Sequence, residues 1–391
     1  MERFVALDSF RGLLAVAVVL FHTYVAQAAS ENPLIANAYL FVEFFFVLSG
    51  FVLMHTYETR LRTLDDYRDF TISRSARILP LHLAMLGLYV LLETGRLLAE
   101  KLGISFNDPA FSGATGPEQF LPNLLLLQSW LGEAITGSFN YPSWSISIEY
   151  YLYLLFGLLV LKGQGHQRQW FLVIALLAFV QLLFPILPLK TEIFRGLSCF
   201  FAGTCTYRLY AWMKTHNQGQ FGGTLLEVAC LIAAAAVMTS DLPVAKKGVL
   251  ASLVFCLTIL TFAFERGLVS SVLHQRFFVR LGVLSYSIYL CHAAVIFVFK
   301  SAFIVLGKLL HQDLTVVAPS HDVPVPFMIR YIATGSPVLD NLVVLLELGV
   351  VFALACLTHR YIEIPGIALG KRLVRKRRNT SFCDGKIQPQ P

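Results

Sequence analysis

Ten long apolar runs dominate this chain. They lie at about 12–27, 38–56, 78–92, 145–161, 170–187, 193–211, 225–240, 248–264, 278–299 and 341–359. Each is close to the roughly 17–25 residues an α-helix needs to cross a bilayer. Inside a bilayer the backbone must satisfy its own hydrogen bonds, which leaves helices or a closed barrel, and runs of this length specify helices. Composition agrees: 56% of residues are hydrophobic and 14% charged, against about 25% charged in soluble proteins. Disorder is excluded by the hydrophobicity, and a soluble enzyme would lack polar surface to cover its core. The predicted fold is all-α, a polytopic transmembrane bundle of about ten helices. The segment 120–131 (FLPNLLLLQSWL), bracketed by Pro122 and Gly132, is too short to span and reads as re-entrant or interfacial. No internal repeat appears, so residues 1–365 are expected to form one membrane domain and 366–391 a basic cytoplasmic tail.

The net charge of +7 is concentrated rather than spread, because 371–378 (KRLVRKRR) holds six basic residues. A local run beyond the last apolar helix predicts a cytoplasmic anchor beside anionic membrane lipid, not a nucleic-acid surface. Placing the N-terminus in the cytoplasm puts all but nine of the 31 Lys and Arg inside. Both termini are then cytoplasmic, in a multi-pass inner or plasma membrane protein. A long outer loop, about 309–338, carries Pro319, Pro324, Pro326 and Pro337 and is expected to lid one face. The start of the chain resembles a signal peptide, with Ala26-Gln27-Ala28 as a cleavage site, but Asp8, Arg11 and His22 argue for a retained helix. Seven Cys, an odd number, form no CxxC pair or Cys/His metal spacing, so neither a disulfide framework nor a metal site is expected.

In so apolar a chain, every ionisable group inside a run is a functional candidate. Asp8 and Arg11 stand at i,i+3 and can ion-pair on one face of the first helix. His22 follows Arg11 by eleven residues, on the same stripe about 16 Å further along. Glu43, at a similar depth on the second helix, is expected to fix the His22 tautomer and raise its basicity. Ser49 and Gly50 follow. Arg74 and Arg77, before Pro80, form a two-guanidinium fork for phosphate or pyrophosphate. Trp144 lies at the outer interface, and Glu149 lies a turn deeper, needing a partner from another helix. Ser285, Tyr289 and His292 share a face, with Tyr286 beside them, and Glu363 and Pro365 close the series in RYIEIP. Such a polar interior with an Arg-rich mouth suits proton-coupled transport or group transfer from a phosphate-bearing cytoplasmic donor. Pattern alone does not choose between them.

Six segments, in order, carry a resemblance: LDSFRG at 7–12 with FH at 21–22, VEFFFVLSGFVL at 42–53, RSARILPLH at 74–82, SWSISIEYYLY at 143–153, SYSIYLCH at 285–292 and IEIP at 362–365. Together they resemble the integral-membrane acyltransferase 3 family, which O-acylates sugars and other acceptors from acyl-CoA. The resemblance implies His22 as general base or acyl relay, with Arg11 stabilising the thioester side or positioning His22. Asp8 and Glu43 belong to the same catalytic group. Arg74 and Arg77 would bind the CoA phosphates. Ser49, Trp144, Glu149, Tyr289 and His292 would line the acceptor or acyl channel. Tyr150-Tyr151-Leu152 stands where Glu-Gln-Phe is usual, a departure bearing on acceptor contacts. The extracytoplasmic domain fused to many members is not in this sequence, so transfer would finish alone or with a partner.

The leading expectation is therefore a membrane acyltransferase moving an acyl group, acetyl first, from acyl-CoA to a carbohydrate or lipid-linked sugar, with no permanently bound cofactor. The alternative is a transporter or flippase of a lipid-linked sugar or small organic acid. Against it stands the lack of a repeat, since transporters often carry inverted repeats.

Overall fold

A computed structural model describes residues 3–104, 106, 108–163, 167–216, 221–320 and 328–383. Helix dominates them. Ten helices coincide with the ten apolar runs: α1 (Val5–Phe21), α2 (Phe41–Tyr57), α3 (Leu64–Lys101), α4 (Ser143–Lys162), α5 (Gln167–Leu183), α6 (Thr191–Thr215), α7 (Thr224–Met238), α8 (Val244–Ala263), α9 (Arg276–Leu310) and α10 (Pro337–Thr358). An eleventh, α11 (Ile364–Cys383), continues α10 through a π-helical turn at His359–Glu363. Six stretches among the described residues are long and apolar enough to cross a membrane by length and composition alone: Ala38–Tyr57, Leu64–Lys101, Ser143–Lys162, Val244–Ala263, Arg276–Leu310 and Pro337–Asn379. The segment 120–131 forms no span. It is the five-residue helix Phe120–Leu124 followed by turns, with Asn123 and Gln128 buried under it.

Two close helix crossings organise the bundle. Gly12 of α1 lies on Gly282 of α9, so a Cβ on Gly12 would overlap the Leu281 carbonyl carbon, and one on Gly282 the Asp8 carbonyl oxygen. Gly50 of α2 and Gly203 of α6 meet similarly, each against a backbone carbonyl of the other helix, Phe200 and Val47. Small residues at crossings let backbones approach, which is how helices pair where lipid supplies no hydrophobic drive. Aromatic rings fill the space around the second crossing: Phe156 and Phe171 stack at 5.8 Å, and Phe171 and Phe201 at 5.3 Å. Gly50, expected from sequence to admit a close backbone, does so.

α3 is longer than its apolar run and starts at Leu64 with a Thr63–Asp66 capping box. Arg74 and Arg77 therefore stand well inside it rather than at its start. Pro80 interrupts its hydrogen-bond ladder, and Gly366 of α11 packs against Pro80 there. The basic segment does not hang free as far as it is described. Arg377 binds Asp65 (2.5 Å) and Asp69 (2.7 Å), and Arg378 binds Asp69 (2.6 Å), tying α11 along the first turns of α3. At the opposite end, the expected lid region forms an antiparallel hairpin of β1 (Thr315–Pro319) and β2 (Met328–Ile332), with Thr315 opposite Ile332. A bridge from Ile332 to Val25 attaches it to the loop after α1. Pro324 and Pro326 lie outside the described residues. Cys199, Cys205, Cys230, Cys256, Cys291 and Cys356 are free thiols on helices.

The α1–α9 crossing has no room for a side chain. Gly282→Ala is expected to lower stability by about 1–3 kcal/mol through forced separation of the backbones. Gly87→Ala on α3, where an added Cβ meets nothing within 4 Å, should be neutral or slightly stabilising. Thermal melting of the detergent-solubilised protein compares the two.

Candidate active site

The α1–α9 pair carries most of the candidate chemistry, and it encloses two cavities with different walls. The first, about 420 Å³, is bordered by four guanidiniums: Arg3, Arg11, Arg74 and Arg77. The second, about 410 Å³, lies at the hairpin end and is bordered by His22, Tyr141, Glu93, Arg96, Lys300 and Arg330. Both volumes fall in the range of small-molecule sites. α9 lines the first cavity with Ser285, Tyr286 and Tyr289 and the second with Ala293, Phe297 and Lys300.

In the first cavity Arg11 departs from expectation. Its Nε donates to Ser285 Oγ at 2.8 Å and its Nη2 to the Gly282 carbonyl at 3.3 Å. Asp8 instead takes Arg3 at 2.8 Å. The close approach of α9 at Gly282 offers Arg11 a hydroxyl and a carbonyl on the facing helix, so the expected Asp8–Arg11 pair does not form. Both groups still border the cavity.

Arg74 and Arg77 arrive as the sequence suggested, on one wall. Arg74 donates to Tyr57 Oη at 3.0 Å and lies 5.1 Å over that ring and 5.7 Å over Tyr153. Arg77 faces Glu363 at 3.7 Å, and Glu363 also receives Nδ1 of His359 at 2.9 Å and the Ser287 hydroxyl at 3.1 Å. A long, shared contact leaves the Arg77 fork open to a stronger anionic partner. Deeper in, Glu149 accepts a very short hydrogen bond from Ser49 of α2 and one of 2.5 Å from Tyr153 on its own helix. Its expected partner from another helix is thus a hydroxyl. Tyr289 closes the deep wall, its hydroxyl 2.8 Å from Ser145 Oγ.

His22 caps α1 and lines the second cavity. Its Nδ1 lies 2.9 Å from the Val18 carbonyl and 3.2 Å from Nε2 of His292. His292 is fully buried, and its own Nδ1 lies 2.7 Å from the Tyr289 carbonyl. A carbonyl only accepts, so each Nδ1 carries a proton. His292 Nε2 then accepts from His22 Nδ1–H, and Nε2 of His22 is left as the basic nitrogen. The two rings lie 5.2 Å apart and nearly parallel, with Tyr141 4.8 Å from His22. Tyr289 borders the first cavity and His22 the second, whereas His292, expected to line the channel, is buried and borders neither.

Two expectations are corrected here. Glu43 does not orient His22. Arg195 of α6 clamps both of its oxygens at 2.7 and 3.1 Å, and a fixed guanidinium fork holds a buried carboxylate more strongly than an imidazole does. Trp144 borders neither cavity. It lies under that guanidinium at 5.0 Å and edge-on to Phe46 at 6.3 Å. Arg195 lies within the apolar run 193–211, although sequence reading did not single it out. That enclosure was the available signal. Tyr141, Glu93, Lys300 and Arg330 had no local pattern to mark them.

A sequence model of the acyltransferase 3 family, an acyltransferase domain, matches residues 4–359. An acyltransferase, MdmB, of Streptomyces mycarofaciens is 39% identical over 118 residues, 30% of this chain and 27% of that protein. Protein 2 in the picA locus of Rhizobium radiobacter is 40% identical over 88 residues, 22% of this chain and 44% of that protein. The aligned part thus spans less than half the length of either relative. No solved structure matches.

The Glu43–Arg195 pair is read as structural, and removing one partner leaves a buried charge alone. Arg195→Met is expected to cost about 3–5 kcal/mol, whereas Glu43→Gln with Arg195→Met together should recover much of that. A double-mutant cycle on the melting transition measures the recovery.

Proposed function

Taking as premise that this chain belongs to the acyltransferase 3 family and is a membrane-embedded acyltransferase, we propose that it moves an acyl group, acetyl first, from acyl-CoA to a hydroxyl of a carbohydrate or lipid-linked sugar. The observation that carries the reading is that α1 with the His22 that caps it, and α9 across from it, contribute to two cavities, one rich in guanidiniums and the other presenting the free imidazole nitrogen of His22.

The donor enters the first cavity, where Arg74 and Arg77 receive the CoA phosphates, because planar guanidiniums bind phosphate oxygens two at a time. Arg11, deeper on α1 but about 16 Å short of His22, faces the arm of the donor, whose thioester has to extend past it to His22. The acceptor hydroxyl occupies the second cavity against Nε2 of His22. That nitrogen takes the hydroxyl proton as the oxygen attacks the thioester carbonyl. The carbon–sulfur bond then breaks, and the CoA sulfur leaves with the proton returned from His22. His292 is a positioning residue: its Nε2 holds the His22 proton on Nδ1 and keeps the reactive tautomer facing the acceptor. The acyl group has to pass Tyr289, whose ring lies 5.9 Å from His292.

Sidedness follows the same logic. Arg3, Arg74, Arg77 and the α3–α11 ion pairs share one end of the bundle, and CoA is a cytoplasmic donor. That end is therefore assigned to the cytoplasm, with both termini, and the hairpin end to the outer face of an inner or plasma membrane.

Membranes bearing the full chain, supplied with labelled acetyl-CoA and a glycan extract, test the reaction by CoA release and acyl label on glycan. His22→Ala is expected to lower the rate by about 10²–10⁴-fold in a folded protein; unchanged activity would sink the assignment. Arg74→Ala with Arg77→Ala should raise KM for acyl-CoA with kcat nearly kept. His292→Phe should lower kcat with that KM unchanged.

A further inference from the structure

We propose that the second cavity takes an acceptor bearing an anionic group, a carboxylate or a phosphate, and that Lys300 binds it. This rests on the reading above and names the class of acceptor.

Lys300 lines the cavity with its ammonium 5.2 Å over the Tyr24 ring. Among the described residues it has no hydrogen-bond or ion-pair partner. A lysine in the wall of a cavity in a membrane bundle, with three unused donors, calls for a partner from outside the chain. A carboxyl with an electrostatic influence on it is Glu347 of α10. Glu347 is fully buried, acts on Lys300 electrostatically without reaching it, and has no donor on either carboxylate oxygen.

The other charges on the wall are engaged or screened. Glu93 accepts from Arg96 at 3.1 Å, from the Phe111 N–H at 3.0 Å and from the Thr115 hydroxyl at 3.0 Å. Arg96 also donates to the Asp108 carbonyl, so that pair holds the 108–115 loop. Arg330 donates to Thr315 Oγ1 at 2.9 Å across the hairpin. Asp108 itself is exposed, where water and salt weaken its field. Lys300 is left as the cation that offers unengaged donors to a bound molecule.

Its distance decides its role. Lys300 follows His292 by eight residues on α9, a rise of about 12 Å. That sets the two residues about two turns apart on the helix, with Lys300 still near enough to act on His22 electrostatically. The spacing suits a second point of attachment, one unit along the acceptor from the acylated hydroxyl. A uronic-acid carboxylate and a sugar phosphate share the chemistry.

Binding of glucose, glucuronate and glucose 1-phosphate to the purified full-length protein, measured by titration calorimetry, tests the proposal without turnover. At least one anionic sugar is expected to bind tenfold or more tightly than glucose, the scale of one charge-assisted hydrogen bond. Which of the two gains identifies carboxylate or phosphate as the source. Lys300→Met and Lys300→Gln should abolish the preference, and Lys300→Arg should keep it; melting temperatures identify which variants are folded. Equal binding of all three sugars, no binding of any, or a preference that survives Lys300→Met and Lys300→Gln would overturn it. Failure of the reaction would appear separately, as missing His22-dependent CoA release.

Discussion

The close contact of α1 and α9 at Gly12 and Gly282 is the constraint on which the rest of the site depends. Two helices that touch backbone to backbone keep their side chains in fixed register. Arg11 then reaches Ser285 and the Gly282 carbonyl, and His22, three turns on, meets His292. The same pair of helices therefore presents guanidinium at one end and imidazole at the other. Neither a leucine-rich interface nor a wider crossing would hold both contacts at once. Lipid offers no hydrophobic drive for helix pairing, so small residues and interhelical hydrogen bonds have to supply it.

Charge in an apolar bundle sorts into two kinds. Some groups are locked in tight mutual pairs, as with Glu43 and Arg195, or Arg377 with Asp65 and Asp69, and these hold helices together. Others are held loosely or by neutral partners: Arg77 at 3.7 Å from Glu363, Arg74 on phenol rings, Glu149 on two hydroxyls. The loosely held ones border the first cavity, although the tight Arg3–Asp8 pair borders it too and the Glu93–Arg96 pair borders the second. A strong internal pair would have to be broken to admit a charged ligand, whereas a hydroxyl or an aromatic face gives way at small cost.

Much of this was legible in the sequence. Apolar runs of spanning length imply helices because hydrocarbon allows few other backbones, and each of the ten runs is a helix. The Gly50 contact, the inward-facing Ser49 and Glu149, the common wall of Arg74 and Arg77, and the shared face of Ser285 and Tyr289 were readable from helical spacing. Failures came where a long side chain had a choice of partners. Asp8 and Glu43 each lie near a plausible sequence neighbour or depth-mate, yet Arg3 and Arg195 bind them. Periodicity gives the face of a helix but not which helix meets it.

By itself the sequence determined the class of fold, the number of apolar helices and the identity of the polar groups they carry, because the cost of burying an unsatisfied backbone or charge acts locally. The tertiary structure alone decided which of those groups meet. It gave His22 a histidine rather than a carboxylate, placed Trp144 beneath a guanidinium, and left Lys300 without an ion-pair partner among the described residues beside a second cavity. Pairing depends on which backbones approach within a few ångströms, and that is settled by crossings such as Gly12 on Gly282, between residues 270 positions apart in the chain.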